Sequence, residues 1–169
     1  MSQFAGKLEI RLMPMASEDL RSLAASRPVD AFASAAEGAL PPPHVVARAL
    51  SQLDAGTPAM WCLPLLIVAK RSGDILGGCR FKDAPVNGSV EIGYGVARSA
   101  RGRGIATSAV GELLKLAAAS GIVREVVAHI LPDNIPSSKV VSRLGFSRGS
   151  SIIDPDGETV VRWSYPVTT

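Results

Sequence analysis

The sequence has few residues of the kinds that form disulfides or hold structural metals. Its two cysteines, Cys62 and Cys79, lie far apart and form no C-x-x-C pair. A disulfide framework and a structural zinc site are therefore not predicted, and both thiols are expected to be buried. The two histidines, His44 and His129, add no metal-ligand spacing, so we expect no bound metal.

No stretch is long and apolar enough to cross a membrane. The longest apolar run, residues 61–69, is too short to span a bilayer, and Pro64 interrupts it. The first residues carry Lys7, Glu9 and Arg11 where a secretory signal would have an apolar segment. These absences favour a cytoplasmic protein with no membrane partner.

Charge of one sign is not concentrated either. The formal net charge is +3, from 18 Lys and Arg residues against 15 Asp and Glu residues. This balance gives no dense basic patch, so no nucleic-acid partner is expected, but it suits an anionic small ligand. With 169 residues, of which 47% are apolar, the chain is predicted to form a single domain over residues 1–169 with a sizeable core.

The patterning predicts strands mixed with helices, without an internal repeat, and therefore an α/β (or α+β) fold. Strands are predicted at residues 8–13, 65–70, 75–82, 89–97, 123–131, 152–153 and 159–167, with an antiparallel meander over 65–97. Helices are predicted at residues 17–25, 44–53, 104–120 and 137–144, with Ser17 as an N-cap, Pro43 as a starter, and Gly121 and Gly145 as stops. Residues 28–43, rich in Ala and Pro, are expected to form a mobile loop or a short helix.

The most informative stretch is residues 101–106, Arg-Gly-Arg-Gly-Ile-Ala, between a predicted strand and the longest helix. Glycines allow a backbone to approach a ligand closely, and the free N–H groups at a helix N-terminus bind phosphate. Arg98, Arg101 and Arg103 add positive charge at the same place. An anion site is therefore predicted; the alternative is a solvated basic turn that only begins the helix.

Two common phosphate-binding motifs do not fit this stretch. No G-x-x-x-x-G-K-[ST] string occurs, which excludes a Walker A loop. Counting G-x-G-x-x-G/A from Gly102 places Thr107 at the last position, and Glu125 lies near the start of a strand instead of its end. The preceding meander is also wrong for a dinucleotide-binding unit.

A third pattern fits. Residues 90–106, VEIGYGVARSARGRGIA, resemble motif A of the GNAT superfamily of N-acetyltransferases, whose Q/R-x-x-G-x-G/A pattern is matched by Arg101, Gly104 and Ala106. Residues 134–146 are similar to the family's downstream N-x-x-S…G-F segment. Within the family, Ser137 and the string from Glu91 to Tyr94 resemble the branch that acetylates the N-termini of ribosomal proteins.

This resemblance implies a fold and a cofactor site. The sheet would be mixed and mostly antiparallel, flanked by helices, and splayed between the strands that end near Val96 and Leu131, with acetyl-coenzyme A in the splay. Pantetheine would pair with the backbone near Val96 and Ala97, and Asn134 and Ser137 would reach it from across the splay; an N-cap role for Asn134 is compatible. The pyrophosphate would accept hydrogen bonds from the residues of the glycine loop, namely Arg101, Gly102, Arg103, Gly104, Ile105 and Ala106.

Amine acetylation needs a group that removes a proton from the amine and one that assists the departing thiolate. Glu91 is the candidate base, and the alternative is an exposed charge on the strand face. Many relatives carry a catalytic Tyr seven residues after the Asn, but this sequence has Val141 there, so Ser137 is the candidate acid. His129 and Tyr94 are further candidates, for which packing roles are the alternative.

The sequence thus predicts an acetyl-coenzyme A-dependent N-acetyltransferase acting on a primary amine, either a protein N-terminus or a small molecule. The alternative is a regulatory module of the same fold that binds acyl-coenzyme A without turnover. The acceptor, the acyl-chain length and the choice between a monomer and a homodimer stay open at this stage.

Overall fold

The protein is described by a computed structural model that covers residues 8–168. Residues 1–7, over which no secretory signal is predicted, and Thr169 lie outside the described residues. Within that range the chain forms a seven-stranded sheet and four α-helices. The strands are β1 Ile10–Pro14, β2 Leu65–Ala69, β3 Ile75–Phe81, β4 Ser89–Val96, β5 Glu125–Ile130, β6 Ser147–Ile153 and β7 Thr159–Pro166. The helices are α1 Ser17–Ala24, α2 Pro43–Asp54, α3 Ile105–Ser120 and α4 Ile135–Leu144.

The sheet has the order β1-β2-β3-β4-β5-β7-β6, and only β4 and β5 pair in parallel. Short turns join β2 to β3 and β3 to β4, and short connections favour antiparallel pairing. The connection from β4 to β5 contains α3, which is long enough to return the chain to the same end of the sheet. The predicted mixed, mostly antiparallel sheet is confirmed.

Two apolar layers hold the helices on the sheet. Leu66 and Val68 of β2 pack on one face with α1 and α2, while Ile67 and Ala69 point to the other face, where α3 packs. This alternation places every second side chain of a central strand in each layer. The division puts α1 and α2 on one side of the sheet and the N-terminus of α3 on the other.

The predicted helices and strands are present, most with ends within two residues of the predicted ones. The prediction that Ser17 caps α1 is wrong, because Ala16 occupies the N-cap and Ser17 is the first helical residue. The last hairpin is longer than predicted, since β6 already begins at Ser147. Residues 28–43 contain one short 3-10 turn, at Asp30–Phe32. Both cysteines are buried, as predicted.

Strands β3 and β4 approach each other closely where Gly77 pairs with Val96. A methyl group added at Gly77 would overlap the carbonyl oxygen of Gly95 and lie 2.9 Å from the Cα atom of Val96. The neighbouring Gly78 has more room, since its added methyl would meet only the Leu65 carbonyl oxygen, at 3.4 Å. The pairing of Gly77 with Val96 therefore depends on the absence of a side chain at Gly77.

We expect Gly77→Ala to lower the free energy of unfolding by about 1–3 kcal/mol, because the extra methyl forces the two strands apart. Gly78→Ala is the matched control and should change it by less than about 1 kcal/mol. Urea denaturation of both variants measures the difference. Equal effects of the two substitutions would contradict the close approach.

Candidate functional site

The site begins where β4 and β5 separate. The two strands pair only over Ser89–Glu125, Val90–Val126 and Glu91–Val127, although β4 continues to Val96 and β5 to Ile130. β4 stays paired with β3 up to Val96, and β5 stays paired with β7 up to Ile130. The predicted splay between these strands is therefore present, and each side of it is held by its own outer neighbour.

The backbone of β4 offers groups to this gap at alternate residues. The Glu91 carbonyl accepts from the Lys82 N–H and the Ala97 N–H donates to the Leu76 carbonyl, so both residues turn their polar groups toward β3. By alternation, Tyr94 and Val96 turn theirs toward the gap. The Val96 carbonyl there accepts from Arg101 Nε at 3.2 Å. Of the two predicted pantetheine contacts, Val96 turns its backbone groups toward the gap, whereas the N–H of Ala97 is already bonded to the Leu76 carbonyl.

The glycine loop stands at one end of the gap. Gly102 and Gly104 have φ angles of 81° and 75°, in the left-handed region that favours glycine. A Cβ added at either glycine would meet no atom within 4 Å, so the loop borders open space. Ile105 is buried and anchors the first turn of α3, and no side chain caps that turn. The first N–H groups of α3 are thus left to a ligand or solvent.

The start of α4 faces the loop from the β5 side of the gap. Asn134 is the N-cap of this helix, and its Oδ1 accepts from the Ser137 N–H at 3.2 Å. The capping role considered for Asn134 is confirmed, and its side-chain amide group makes no other hydrogen bond within residues 8–168. The Ser137 carbonyl in turn accepts from the Tyr94 hydroxyl at 3.0 Å, which links β4 to α4.

Two positions bear on which residue could act as an acid, the hydroxyl of Tyr94 and the helix position of Val141. Burial raises the pKa of Tyr94 to about 12, and the bond to Ser137 opposes this rise only in part. Val141 is fully buried in the core, so the helix position where the resemblance expects a Tyr holds no acid. Of the candidate acids named from the sequence, Tyr94 and Ser137 are the two that carry a hydroxyl.

Glu91 is neither free nor fully exposed. Its Oε2 lies 2.9 Å from Lys82 Nζ and 3.0 Å from His129 Nδ1, and its side chain is 31% exposed. Burial raises the pKa of the Glu91 carboxyl, but the hydrogen bonds and charges of Lys82 and His129 lower it by more, so the net shift is downward. Glu91 is therefore ionised at neutral pH. The carboxylate is thus a partly exposed group on the strand face that has two partners.

His129 lies two residues beyond the last residue of β5 that pairs with β4. Its Nδ1 contacts Glu91, while its Nε2 is buried and has no hydrogen-bond partner within residues 8–168. When Nδ1 carries the proton that it donates to Glu91, Nε2 is the basic nitrogen. The pair therefore contains two groups that can accept a proton.

Two clefts open on the face of the sheet that carries α2, and they meet at Lys82. The large cleft, of about 390 Å³, lies between the loop that leads into α2 and strands β3 and β4. The Glu91 cleft, of about 240 Å³, holds Glu91 and His129 together with Arg48 and Arg162. Lys82 lines both. Lys82, whose Nζ contacts Glu91, is thus the lining residue that the two clefts share.

The sequence reasoning missed Lys82, Arg48 and Arg80. Lys82 follows the last residue of β3, and its partner Glu91 lies opposite it on β4. The predicted antiparallel meander was the available signal. With the exact register across the turn of residues 82–88, it would have placed Lys82 opposite Glu91. Arg48 is brought over the sheet by the packing of α2, for which the sequence carries no local signal.

No helix in residues 8–168 has the length and apolar character needed to cross a membrane. In the same range, no group of three or more His, Cys, Asp or Glu side chains is placed to hold a metal ion.

Comparison with known proteins indicates the family to which the chain belongs. The model of the acetyltransferase (GNAT) domain matches residues 9–147. The uncharacterized N-acetyltransferase p20 of Bacillus licheniformis is 32% identical over 89 residues, which are 52% of this chain and 50% of that protein. The chain thus spans about half the length of the curated relatives it matches.

Solved structures of the same fold cover nearly the whole chain. The ribosomal L7/L12 α-N-protein acetyltransferase RimL has a TM-score of 0.67 at 18% identity, over 95% of this chain and 94% of that one. The aminoglycoside acetyltransferase AAC(6')-Ib in complex with coenzyme A has a TM-score of 0.65 at 20% identity, over 94% and 95%. At these identities the likeness shows the fold. Together with the domain match over residues 9–147, these findings lead to one conclusion: the chain belongs to the GNAT acetyltransferase family.

Proposed function

We propose that the protein is an N-acetyltransferase that moves an acetyl group from acetyl-coenzyme A to a primary amine. The observation that carries this proposal is the gap between β4 and β5, which opens beside an uncapped helix N-terminus at the glycine loop. An unpaired strand edge suits an extended ligand with amide groups, and the helix N-terminus suits a phosphate. Coenzyme A contains both in one molecule.

The residues at the gap fit coenzyme A in a defined order. The N–H groups from Arg101 to Ala106 would bind the pyrophosphate, aided by the positive end of the α3 dipole. The open space over Gly102 and Gly104 is the room that such an approach requires. Val96 would bind the pantetheine arm from β4, and the amide group of Asn134 would bind it from α4. The bound acetyl-coenzyme A supplies an activated thioester.

The chain supplies the proton chemistry. An ammonium group cannot attack a carbonyl carbon, so its proton must first leave. Glu91 or the imidazole beside it would accept this proton. Glu91 is held ionised by Lys82 and His129, which also weakens it as a base, because a lower pKa means a lower proton affinity. The Ser137 hydroxyl would donate a hydrogen bond to the departing sulfur, whereas the Tyr94 hydroxyl already donates to the Ser137 carbonyl.

The names of two solved structures of the same fold bear on the class of acceptor. The relatives of this fold include RimL, named as an α-N-protein acetyltransferase, and AAC(6')-Ib, named as an aminoglycoside acetyltransferase. The fold therefore accommodates both a protein N-terminus and a small-molecule amine. The proposal covers primary amines of either kind.

Gly104→Val tests the glycine loop. The added side chain would stand in the open space over the loop and block the approach of a phosphate, so we expect the Kd for coenzyme A to rise at least about tenfold. Gly121→Val is a matched control, because Gly121 ends the same helix with a φ of 73° and its added Cβ also meets no atom within 4 Å. Calorimetry with coenzyme A and thermal melting measure both variants. An equal loss of affinity in the two variants, or none in Gly104→Val, would show that the loop does not bind the cofactor.

Release of free thiol from acetyl-coenzyme A, followed with a panel of amines and peptide N-termini, tests turnover and Glu91 together. The wild-type protein should release thiol only when an amine is present. Glu91→Gln keeps the shape but removes the proton acceptor, so turnover should fall about a hundredfold. The deficit should shrink as the pH rises from about 6.5 to 9, because more of the amine arrives deprotonated.

Two outcomes would contradict this account. Wild-type turnover by Glu91→Gln across that pH range would remove Glu91 from the chemistry. Tight binding of coenzyme A without thiol release for any amine would favour the regulatory-module alternative, which the absence of an acid at Val141 already supports.

A further inference from the structure

Positive side chains gather over one residue of β4. A Cβ added at Gly93 would lie 3.1 Å from Lys82 Cε and 3.6 Å from Arg80 Nε, so both side chains pass directly over this glycine. Arg48, from α2, donates to the Lys82 carbonyl through Nη2 at 3.3 Å and Nε at 3.4 Å. We call Arg48, Arg80 and Lys82 the cationic cluster.

Two members of the cationic cluster have partners and one does not. Lys82 is paired with Glu91, and Arg48 is held by a carbonyl. Within residues 8–168, the guanidinium of Arg80 has no ion pair and no hydrogen bond, although the residue is half-buried. Burial lowers the pKa of Arg80, the charge of Arg48 lowers it further, and Glu91 offsets only part of this. A half-buried cation without a counter-ion is unfavourable, and a bound anion would relieve it.

The large cleft has the composition of a binding site for a small anion with an apolar body. Its charged side chains are Arg80, Lys82 and Arg101, and it contains no carboxylate. Its opposite wall is apolar and is formed by Ala39, Leu40, Pro41, Pro42, Val45 and Pro64. A volume of about 390 Å³ falls in the range of small-molecule sites.

The register of β3 and β4 sets the spacing of the recognised groups. Arg80 pairs with Gly93, and Lys82 lies opposite Glu91, two residues further along each strand. Two residues of extended strand span about 7 Å. An amine beside Glu91 and an anion at Arg80 would therefore be separated by roughly this distance.

We propose that the acceptor is a small amine that carries a carboxylate about 7 Å from its nitrogen, and that Arg80 binds this carboxylate as the specificity-determining residue. The inference rests on the proposed acetyl transfer and narrows its acceptor. Arg80 holds the carboxylate through paired N–H donors, which is the geometry that a guanidinium offers a carboxylate. The chain of the acceptor lies against the apolar wall, and its amine reaches Glu91.

The test compares two acceptors that differ only in charge, 6-aminohexanoate and 6-aminohexanamide, at saturating acetyl-coenzyme A with thiol release as the readout. For the wild-type protein we expect kcat/KM to be at least about tenfold higher for the carboxylate, since a hydrogen bond between charged groups is worth that much. Arg80→Gln should bring this ratio close to one, and Arg80→Lys should keep part of it. Arg71→Gln removes the same charge at an exposed turn and should leave the ratio unchanged.

The outcomes separate this inference from the proposed function. Thiol release with the amide but no preference for the carboxylate would overturn the inference and leave the acetyltransferase proposal standing. Thiol release with neither these nor any other amine would overturn the proposed function itself. A higher Kd for coenzyme A in Arg80→Gln would assign Arg80 to the cofactor and also overturn the inference.

Discussion

The separation of β4 from β5 after Glu91 and Val127 is the constraint on which the rest of the structure depends. A gap inside a sheet leaves backbone polar groups unpaired, and such an edge is costly unless water or a ligand covers it. Here each strand is held on its outer side, β4 by β3 and β5 by β7, so the gap does not close. The glycine loop and the start of α4 then border the gap from opposite strands.

The charged side chains indicate which kind of ligand group suits each part of the site. The glycine loop is positive because of Arg101, Arg103 and the first N–H groups of α3, which suits the phosphate end of a cofactor. On β4, the Glu91 carboxylate lies between Lys82, a member of the cationic cluster, and His129. The positive side chains that line the large cleft, Arg80, Lys82 and Arg101, favour a ligand that carries a negative charge.

Much of the fold could be predicted from the sequence because its signals are local. The glycines at the ends of α3 and α4, the proline at the start of α2, and the apolar periodicity of α3 each act within one turn of helix. The prediction failed at Ser17 by a single position, since the N-cap is Ala16, which makes no side-chain capping bond. The beginning of β6 was missed because its residues from Ser147 to Ser151 are exposed, so they show no apolar alternation.

Only those parts of the site that lie at helix N-termini could be predicted from the sequence. Asn134 and the glycine loop lie at helix N-termini, which the sequence marks directly. The contacts of Glu91 with Lys82 and His129, and the position of Arg48 and Arg80, depend on strand register and on how α2 packs. These are long-range choices that no short segment contains.

Hydrogen–deuterium exchange with and without coenzyme A tests the central claim most directly, that the gap and the glycine loop form one cofactor site. The account predicts slower exchange on binding at residues 94–96 and 102–107, with no change in the exposed strand Ser147–Ile153. Protection confined to other segments, at a concentration where coenzyme A is shown to bind, would contradict it.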